Sequence, residues 1–283
     1  MSLRVESFGD CINFSRALEE LEVHSVFKNV INLKTPSEII SLVTPAVGKG
    51  PNNIVVEAND LSGFQSAGLE GKLMFLKEFE VDFGTAKKYN SGLFISKANS
   101  SVLFHNLQIT EQIITKESSP FSSAFLLDEF REQYFITTLQ INIKNSIKNA
   151  FNDLIKGSLD SVKKLKGVGF GLTPQGDDLI NGVIIALYFF EQLYDISTRE
   201  LRNKIYHFTS SSNLLSRTFI YYSSIGRFYQ HFKNYLLSIL SEVSDVECST
   251  REVLKFGETS GADVLTGFVI SLKKFFEGGL LWQ

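Results

Sequence analysis

One segment occurs twice in the second half of this chain, and that repeat constrains the fold more than any other feature of the sequence. Residues 170–187 read FGLTPQGDDLINGVIIAL, and residues 256–272 read FGETSGADVLTGFVISL. A single deletion brings the two segments into register. The identical pairs include Phe170/Phe256, Gly171/Gly257, Thr173/Thr259, Gly176/Gly261, Asp178/Asp263, Gly182/Gly267 and Leu187/Leu272. Because the matches keep their order, we interpret the repeat as an internal duplication.

Both copies combine a glycine- and threonine-containing loop with the start of an apolar helix. Glycine backbone adopts positive φ and approaches a ligand closely. A helix start presents unpaired N–H groups and the positive end of the helix dipole. These features together are typical of a binding site for a small anion.

Small residues recur at every fourth position after the repeated aspartate, on one face of each predicted helix. The two stripes are Asp178, Gly182 and Ala186 in the first copy, and Asp263, Gly267 and Ser271 in the second. We predict that the two helices pack on each other through glycine, so that both loops and both aspartates bracket one pocket. This arrangement requires the N-terminal ends to converge, because an antiparallel crossing would separate the loops.

The first third of the chain is predicted to be strand-rich, since short runs of Val, Ile and Phe alternate with Pro, Gly, Asn and Ser clusters. The strand candidates are 23–34, 38–43, 52–58, 72–84, 92–97 and 101–105, with a short helical pattern over 10–22. Strands at such short spacing favour a small barrel or sandwich.

The hydrophobic period then changes to that of helices. One amphipathic helix of roughly 30 residues is predicted through 127–154. The later helix candidates are 158–166, 178–194, 198–208, 213–241, 249–255 and 263–277. We therefore expect an α+β protein with a β-rich barrel- or sandwich-like domain over 1–110 and an all-helical domain over 111–283 that carries the duplication, with the boundary in the stretch 106–122.

Composition excludes several classes of protein. The chain has 283 residues, 43% of them apolar, and a formal net charge of only −3, so disorder is excluded. The near-neutral charge also argues against a nucleic-acid partner. The longest apolar run, 183–190, is too short to span a bilayer, and the first 15 residues lack a signal-peptide pattern. We expect a cytoplasmic protein with no membrane association.

Familiar nucleotide and hydrolase motifs are absent from the sequence. Gly171 and Gly176 have the spacing of a P-loop, but Asp177 and Asp178 occupy the positions that require Lys and Ser or Thr. No GxSxG motif is present, and the four histidines lack metal-ligand spacing.

A third polar segment, TSSSN at 209–213, precedes another predicted helix. Ser212 is a cap-type residue at that helix start. Arg217 follows one turn into the helix and is a candidate for bidentate binding of a substrate carboxylate. A solvated or structural arginine is the alternative interpretation.

These three segments together resemble the AllH family of bacterial proteins. Its hallmarks are a GxGxGLTPxGDDxxxG segment, a Ser/Thr-rich helix start with a later glycine, and a GxTSGxDxLxG segment near the C-terminus. They stand here at Gly167–Gly182, at Thr209–Ser212 with Gly226, and at Gly257–Gly267. Two positions depart from the pattern, since Gln175 replaces a small residue and Ala262 a large aromatic one. The resemblance covers the helical part and does not extend by motif to the N-terminal third.

The resemblance implies a subunit of oxamate carbamoyltransferase, which works with two other subunits. Together they phosphorolyse oxalurate to oxamate and carbamoyl phosphate during anaerobic use of allantoin, a purine degradation product. The small anions of this reaction suit paired helix starts. The family assigns no catalytic residue to this subunit that could be carried over.

The candidate site follows from the repeat and the third segment. The catalytic candidates are Asp177, Asp178 and Asp263. Asp177 has no counterpart in the second copy and could act as a general base. The substrate-binding candidates are Gly169, Gly171, Thr173, Gly176, Asn181, Ser212, Arg217, Thr259, Ser260 and Gly261. No cofactor is required by the sequence, although Mg²⁺ at Asp178 is an alternative.

Blander interpretations stay open for the same residues. Each loop could be only a capped helix start whose glycines serve packing, and each aspartate only a first-turn residue. Two further functions are alternatives to the carbamoyl transfer. One is a non-catalytic scaffolding subunit that binds a small carboxylate, and the other is a metal-dependent hydrolase that uses Asp177 and Asp178.

Overall fold

The computed structural model describes residues 3–13, 21–63, 73–74, 81–95, 99–210 and 213–278. The chain divides into two compact units. The first comprises Met1–Leu93 with Arg227–Lys233, and the second comprises Phe94–Gly226 with Asn234–Gln283. The first unit is therefore built from two separate stretches of the chain.

The first unit contains one mixed sheet of eight strands. They are β1 (Leu3–Gly9), β2 (Leu21–Val26), β3 (Val30–Lys34), β4 (Ile39–Val43), β5 (Asn53–Val56), β6 (Leu73–Met74), β7 (Val81–Asp82) and β8 (Lys87–Tyr89). The strand order is β6-β2-β3-β4-β5-β1-β7, and β8 also pairs with β1. Strands β2, β3 and β4 form an antiparallel meander, whereas β4 and β5 are parallel.

The burial pattern of the strands follows their sequence pattern. Strand β1 is buried at alternate residues, and the mainly apolar strands β4 and β5 are buried throughout. Leu33, Ile40 and Ile54 contribute to the core that these strands share.

The inserted stretch 227–233 is fixed to the first unit by polar contacts. Arg227 donates from Nη1 to Oδ2 of Asp10 (2.8 Å), and the Ser91 hydroxyl donates to the other carboxylate oxygen (2.5 Å). The Tyr229 hydroxyl donates to Oδ1 of Asn52 (2.6 Å).

In the described residues of the second unit, the regular secondary structure consists of helices joined by loops. Its α-helices are α1 (Ser100–Glu117), α2 (Thr138–Ile155), α3 (Ser161–Leu165), α4 (Gln175–Tyr194), α5 (Arg199–Phe208), α6 (Leu214–Ser224), α7 (Gln230–Ser238), α8 (Val246–Leu254) and α9 (Ser260–Gly278), of which α7 begins in the stretch assigned to the first unit. Two short 3-10 turns, Ser123–Leu126 and Glu129–Tyr134, lie between α1 and α2. The expected α+β class, strand-rich at the N-terminal end and helical at the C-terminal end, is confirmed. No described helix is long and apolar enough to cross a membrane.

Helices α4 and α9 form the centre of the second unit, and they run in the same direction. Later residues of α4 contact later residues of α9, as expected for helices that run in the same direction. Phe189 meets Phe268 with ring centroids 5.5 Å apart, and Phe190 meets Phe275 at 5.8 Å. At the other end, the side chains of Thr173 and Ser260 touch just before and at the first turns of the two helices. The predicted convergence of the N-terminal ends is therefore present.

Four predicted elements were wrong in their extent or type, and two of them concern helices. Residues 101–105 are helical, because the buried positions of α1 continue at helical spacing from Leu103 through Leu107 to Ile114, beyond the short run that was read as a strand. The helix predicted through 127–154 begins only at Thr138. Thr137 and Gln140 form a capping box there, which starts a new helix.

The other corrections concern turns. The candidate strand 23–34 is a hairpin of β2 and β3, and the candidate helix 213–241 is divided into α6 and α7. Gly226 lies in that break with a φ of +73°, which ends the first helix. The helical pattern over 10–22 and the strand candidates 72–84 and 92–97 fall partly outside the described residues.

Candidate functional site

The first glycine loop, residues 167–174, leads into α4, and a side chain of that helix holds the start of the loop. The Gly167 N–H donates to Oδ1 of Asp177 (2.8 Å), and Asp177 is buried. Gly169 has a φ of +125°, and a Cβ atom there would lie 2.6 Å from the backbone nitrogen of Gln175. The loop therefore closes tightly on the helix start, as the glycine pattern predicted.

The second loop repeats this construction with a shorter chain. The N–H of Gly176 donates to the Val168 carbonyl (2.9 Å), and the N–H of Gly261 donates to the Phe256 carbonyl (2.8 Å). Val168 and Phe256 each donate in turn to a carbonyl three residues earlier, at 3.0 Å in both cases. Phe256 thus takes the structural place of Val168, rather than that of Phe170 with which the sequence aligned it.

The two loops meet through their hydroxyl groups. Oγ1 of Thr173 and Oγ of Ser260 are 2.7 Å apart. The third polar segment joins them, because Nδ2 of Asn213 donates to the Leu172 carbonyl (2.7 Å). Asn213 also caps α6 by accepting from the Ser216 N–H (2.8 Å). The starts of three helices are therefore linked at one place.

Asp263 lies in the first turn of α9 and is fully buried. Its Oδ1 accepts from the Ser123 N–H (2.5 Å), while its own N–H donates to the Thr259 carbonyl (2.9 Å). Burial raises the pKa of the Asp263 carboxyl to about 7, although hydrogen bonds from Ser123 and Thr259 lower it. Near neutral pH this carboxyl is therefore present in both protonation states.

Asp178 occupies the matching turn of α4 and is also buried. Burial, followed by the neighbouring Asp263 carboxyl, raises the pKa of Asp178 well above its usual range, against hydrogen bonds with the Ser260 and Thr173 hydroxyls. Oδ2 of each aspartate has no hydrogen-bond partner among the described residues. The convergent helix starts thus contain two neighbouring buried carboxyls, and the pKa of Asp178 is raised both by its burial and by Asp263.

The remaining predicted residues are placed as follows. Asn181 lies one turn after Asp178, buried, and its Oδ1 lacks a partner in the described part of the chain. Gly171 lies exposed in the first loop with a left-handed φ of +89°. Arg217 is half-buried on α6, where its Nε donates to the Tyr206 hydroxyl (3.4 Å). Ser212 lies outside the described residues.

Sequence reasoning missed the segment 118–123, which was interpreted as part of a domain boundary. Ser123 supplies the backbone donor to Asp263, and the Phe121 carbonyl accepts from Nε2 of Gln175 (2.7 Å). The segment therefore touches both helix starts. Its serines and Pro120 gave no signal of this role, because main-chain groups make both contacts.

The described residues contain no group of three or more His, Cys, Asp or Glu side chains arranged to hold a metal ion. The chemistry available at the helix starts is therefore that of N–H groups, hydroxyls and the aspartate pair. These groups can bind an anion, donate to a carbonyl oxygen and transfer a proton.

Comparison with known families gives two matches along the chain. A family model described as oxamate carbamoyltransferase subunit AllH matches residues 165–272, which include both glycine loops, helix α4 and the first part of helix α9. A second model, described as the AllH family N-terminal domain, matches residues 7–88 in the strand-rich unit. Together they cover most of the chain. Searches of curated proteins and of solved structures gave no match.

Proposed function

Since this chain belongs to the AllH family, we propose that it is the subunit of a carbamoyltransferase that binds a small ureido or carboxylate substrate at its paired helix starts. The family name identifies a subunit, so other subunits of the same enzyme are the proposed partners. The proposal includes a cytoplasmic location and a place in allantoin breakdown, as the resemblance implies.

The proposed reaction is the phosphorolysis of oxalurate. A phosphate oxygen attacks the carbamoyl carbon, the bond from that carbon to the amide nitrogen breaks, and the electron pair passes to the nitrogen. The nitrogen takes up one proton, so that oxamate and carbamoyl phosphate leave. The step needs a binding site for small anions and a proton donor beside the leaving nitrogen.

One observation carries the proposal, namely the contact between Thr173 and Ser260 above the buried carboxyl pair. It joins two helix starts, each with the positive end of its helix dipole at the same place. A single helix start is commonly only a capped end. Two that converge, with unpartnered carboxyl oxygens at their first turns, support a site for a ligand with both acceptor and donor groups.

The proposal gives different roles to the carboxyl groups of Asp178 and Asp263. Burial and the neighbouring Asp263 carboxyl raise the pKa of Asp178, and the Asp178 carboxyl is the proposed donor to the leaving nitrogen. Asp263, with its hydrogen bond from Ser123, is the proposed acceptor that receives a substrate N–H. Asp177 binds the Gly167 N–H, and this contact supports a role in fixing the loop rather than that of a general base.

The anionic parts of the ligands are proposed to bind at the first loop. Gly169 and Gly171 supply the proposed backbone contacts there, while Gly176 and Gly261 shape the two loops by donating their N–H groups to the Val168 and Phe256 carbonyls. Three further residues remain proposed substrate contacts, namely Asn181 on α4, Arg217 on α6 and Thr259 directly before α9. None of these assignments requires a metal ion.

The test is reconstitution with the partner subunits, oxalurate and phosphate, followed by measurement of carbamoyl phosphate. We expect product only when this chain is present, and at least a tenfold loss of rate for Ser260→Ala, because the hydroxyl contact with Thr173 disappears. The matched control is Ser249→Ala, which removes a hydroxyl contact with Ser238 (2.6 Å) away from the site and leaves the rate unchanged.

The opposite results assign the chain elsewhere. Equal product formation without this chain would exclude an enzymatic role. Binding of oxalurate or oxamate that shifts the melting temperature, with turnover unaffected by Ser260→Ala, would identify a scaffolding subunit that binds a small carboxylate. Loss of activity on chelation, restored by Mg²⁺, would favour the metal-dependent alternative.

A further inference from the structure

Arg131 is a buried cation whose described hydrogen bonds go to main-chain carbonyls and one hydroxyl, and its guanidinium also lies 5.8 Å from the centre of the Tyr134 ring. It lies in the second 3-10 turn and is 6% exposed. Its guanidinium donates to the carbonyls of Thr115 (2.5 Å), Ser118 (3.0 Å) and Ser119 (2.7 Å), and to the Ser118 hydroxyl (3.1 Å). Within the described residues it forms no ion pair.

The carbonyls that Arg131 binds belong to the segment that leads to the carboxyl pair. Ser122 continues this segment, with its hydroxyl 2.9 Å from that of Ser118 and its N–H donating to the Ser119 carbonyl (3.0 Å). The next residue, Ser123, donates its N–H to Asp263. Hydrogen bonds, together with the peptide bond from Ser122 to Ser123, therefore connect the guanidinium to the carboxyl.

The same segment also reaches the other helix start. The carbonyl of Phe121 accepts from Nε2 of Gln175, the first residue of α4. Movement of residues 118–123 would therefore change contacts at α4 and α9 together. The planar guanidinium, with its fixed fork of donors, suits this task because it orients several acceptors at once.

We propose that Arg131 is a positioning residue of the site, which fixes residues 115–123 so that the Ser123 N–H stays on Asp263 and sets how the carboxyl pair shares its proton. The catalytic meaning of this role rests on the proposed function, but the structural claim does not. Burying a cation without a carboxylate partner is costly, and a purely structural site could be filled by an apolar side chain. The free-energy cost of burying Arg131 has a reason if its N–H groups are needed to hold the backbone of residues 115–123.

A second buried arginine offers the matched comparison. Arg202 is 3% exposed in α5, and it pairs with Glu191 near the C-terminal end of α4. It also donates to Oγ1 of Thr198 (3.0 Å). Replacement of Arg202 therefore also removes a buried arginine from the second unit. Its partner Glu191 lies near the C-terminal end of α4, whereas the aspartates lie at or near the N-terminal ends of α4 and α9.

The experiment follows the titration of Asp263 in the full chain by carboxyl ¹³C NMR, with the resonance assigned through Asp263→Asn. Near pH 7 we expect the wild-type resonance to titrate. In Arg131→Met the hydrogen bond from Ser123 is lost, so the carboxyl should bind its proton at least tenfold more tightly. Arg202→Met should leave the titration unchanged although it lowers the melting temperature.

Arg131→Lys provides a graded variant, since one ammonium reaches fewer of the four acceptors, and its titration should lie between wild type and Arg131→Met. If Arg131→Met fails to fold, Arg131→Lys and Ser118→Ala carry the test alone. A folded variant that titrates like wild type would overturn the proposal. No substrate is needed, so a negative result in the carbamoyl phosphate assay leaves this measurement decisive on its own.

Discussion

Gly182 of α4 and Gly267 of α9 lie against each other's helix backbone at the place where the two helices cross. A Cβ atom on Gly182 would lie 2.3 Å from the Val264 carbonyl oxygen, and one on Gly267 would lie 2.5 Å from the Leu179 carbonyl oxygen. Both distances are far below van der Waals contact. The helices therefore approach as closely as they do only because both positions lack a side chain, and this approach brings the two loops together.

Replacement of either glycine by alanine should force the helix backbones apart. We expect Gly182→Ala and Gly267→Ala each to lower the free energy of unfolding by about 3 kcal/mol, the upper part of the range for overpacked cores. Urea unfolding followed by circular dichroism measures the loss. Gly63→Ala is the control, because no atom lies within 4 Å of its Cβ position. Equal stability of all three variants would contradict the close packing.

Ser271 gives a prediction of the opposite sign in the same pair of helices. It is completely buried on α9, and its hydroxyl has no hydrogen-bond partner among the described residues. Ser271→Ala removes an unpaired polar group, so we expect unchanged or higher stability, by up to about 1 kcal/mol. In the control Ser238→Ala, a buried helical hydroxyl that donates to the Tyr235 carbonyl (2.8 Å) is lost, and stability should fall. A clear loss of stability in Ser271→Ala would show that this hydroxyl is paired.

The duplication itself can be tested at Gly176 and Gly261. A Cβ atom would lie 1.9 Å from the Leu165 carbonyl oxygen in the first case and 2.0 Å from the Val253 carbonyl oxygen in the second. Because the clashes match, Gly176→Ala and Gly261→Ala should destabilise by similar amounts, about 2 kcal/mol or more each. Calorimetric melting of the two variants checks this. A large effect at only one position would mean that the two loops are not equivalent.

The convergence of the two loops could be predicted from the sequence because its cause is local and repeated. Gly182 and Gly267 follow the two aspartates at the same spacing, and helix geometry puts glycine and aspartate on one face. The identities from Gly176/Gly261 to Leu187/Leu272 fix the register from Gly176 onward. Before that point the register shifted, since Val168 rather than Phe170 accepts the closing hydrogen bond. Backbone equivalence in a loop does not follow side-chain identity.

The contribution of residues 118–123 could not be predicted, because it depends on main-chain groups. A backbone N–H exists at nearly every residue, and nothing in the side chain of Ser123 indicates which carboxylate its N–H meets. The start of the helix predicted through 127–154 was wrong for a related reason. The apolar period continued across Thr137, but a capping box there starts the helix afresh.

The carboxyl pair gives the stability of the protein a specific dependence on pH. The folded-state pKa of Asp263, about 7, lies above its ordinary value of 3.8, so the folded protein binds this proton more tightly than the unfolded chain. The stabilisation is complete at low pH and is lost as the pH rises through the folded pKa. Relative to Asp263→Asn, the wild-type free energy of unfolding should therefore fall by roughly 2 kcal/mol between pH 5 and pH 8.

Urea unfolding of both proteins at several pH values measures this difference. Asparagine retains an oxygen that can accept from the Ser123 N–H, so the variant should remain folded. Asp160→Asn is the control. Lys163 lowers the pKa of the exposed Asp160 carboxyl, and any dependence from this group lies at acidic pH, below the range of the experiment. A wild-type difference from Asp263→Asn that stays constant from pH 5 to pH 8 would show that Asp263 is ionised throughout and would contradict its raised pKa.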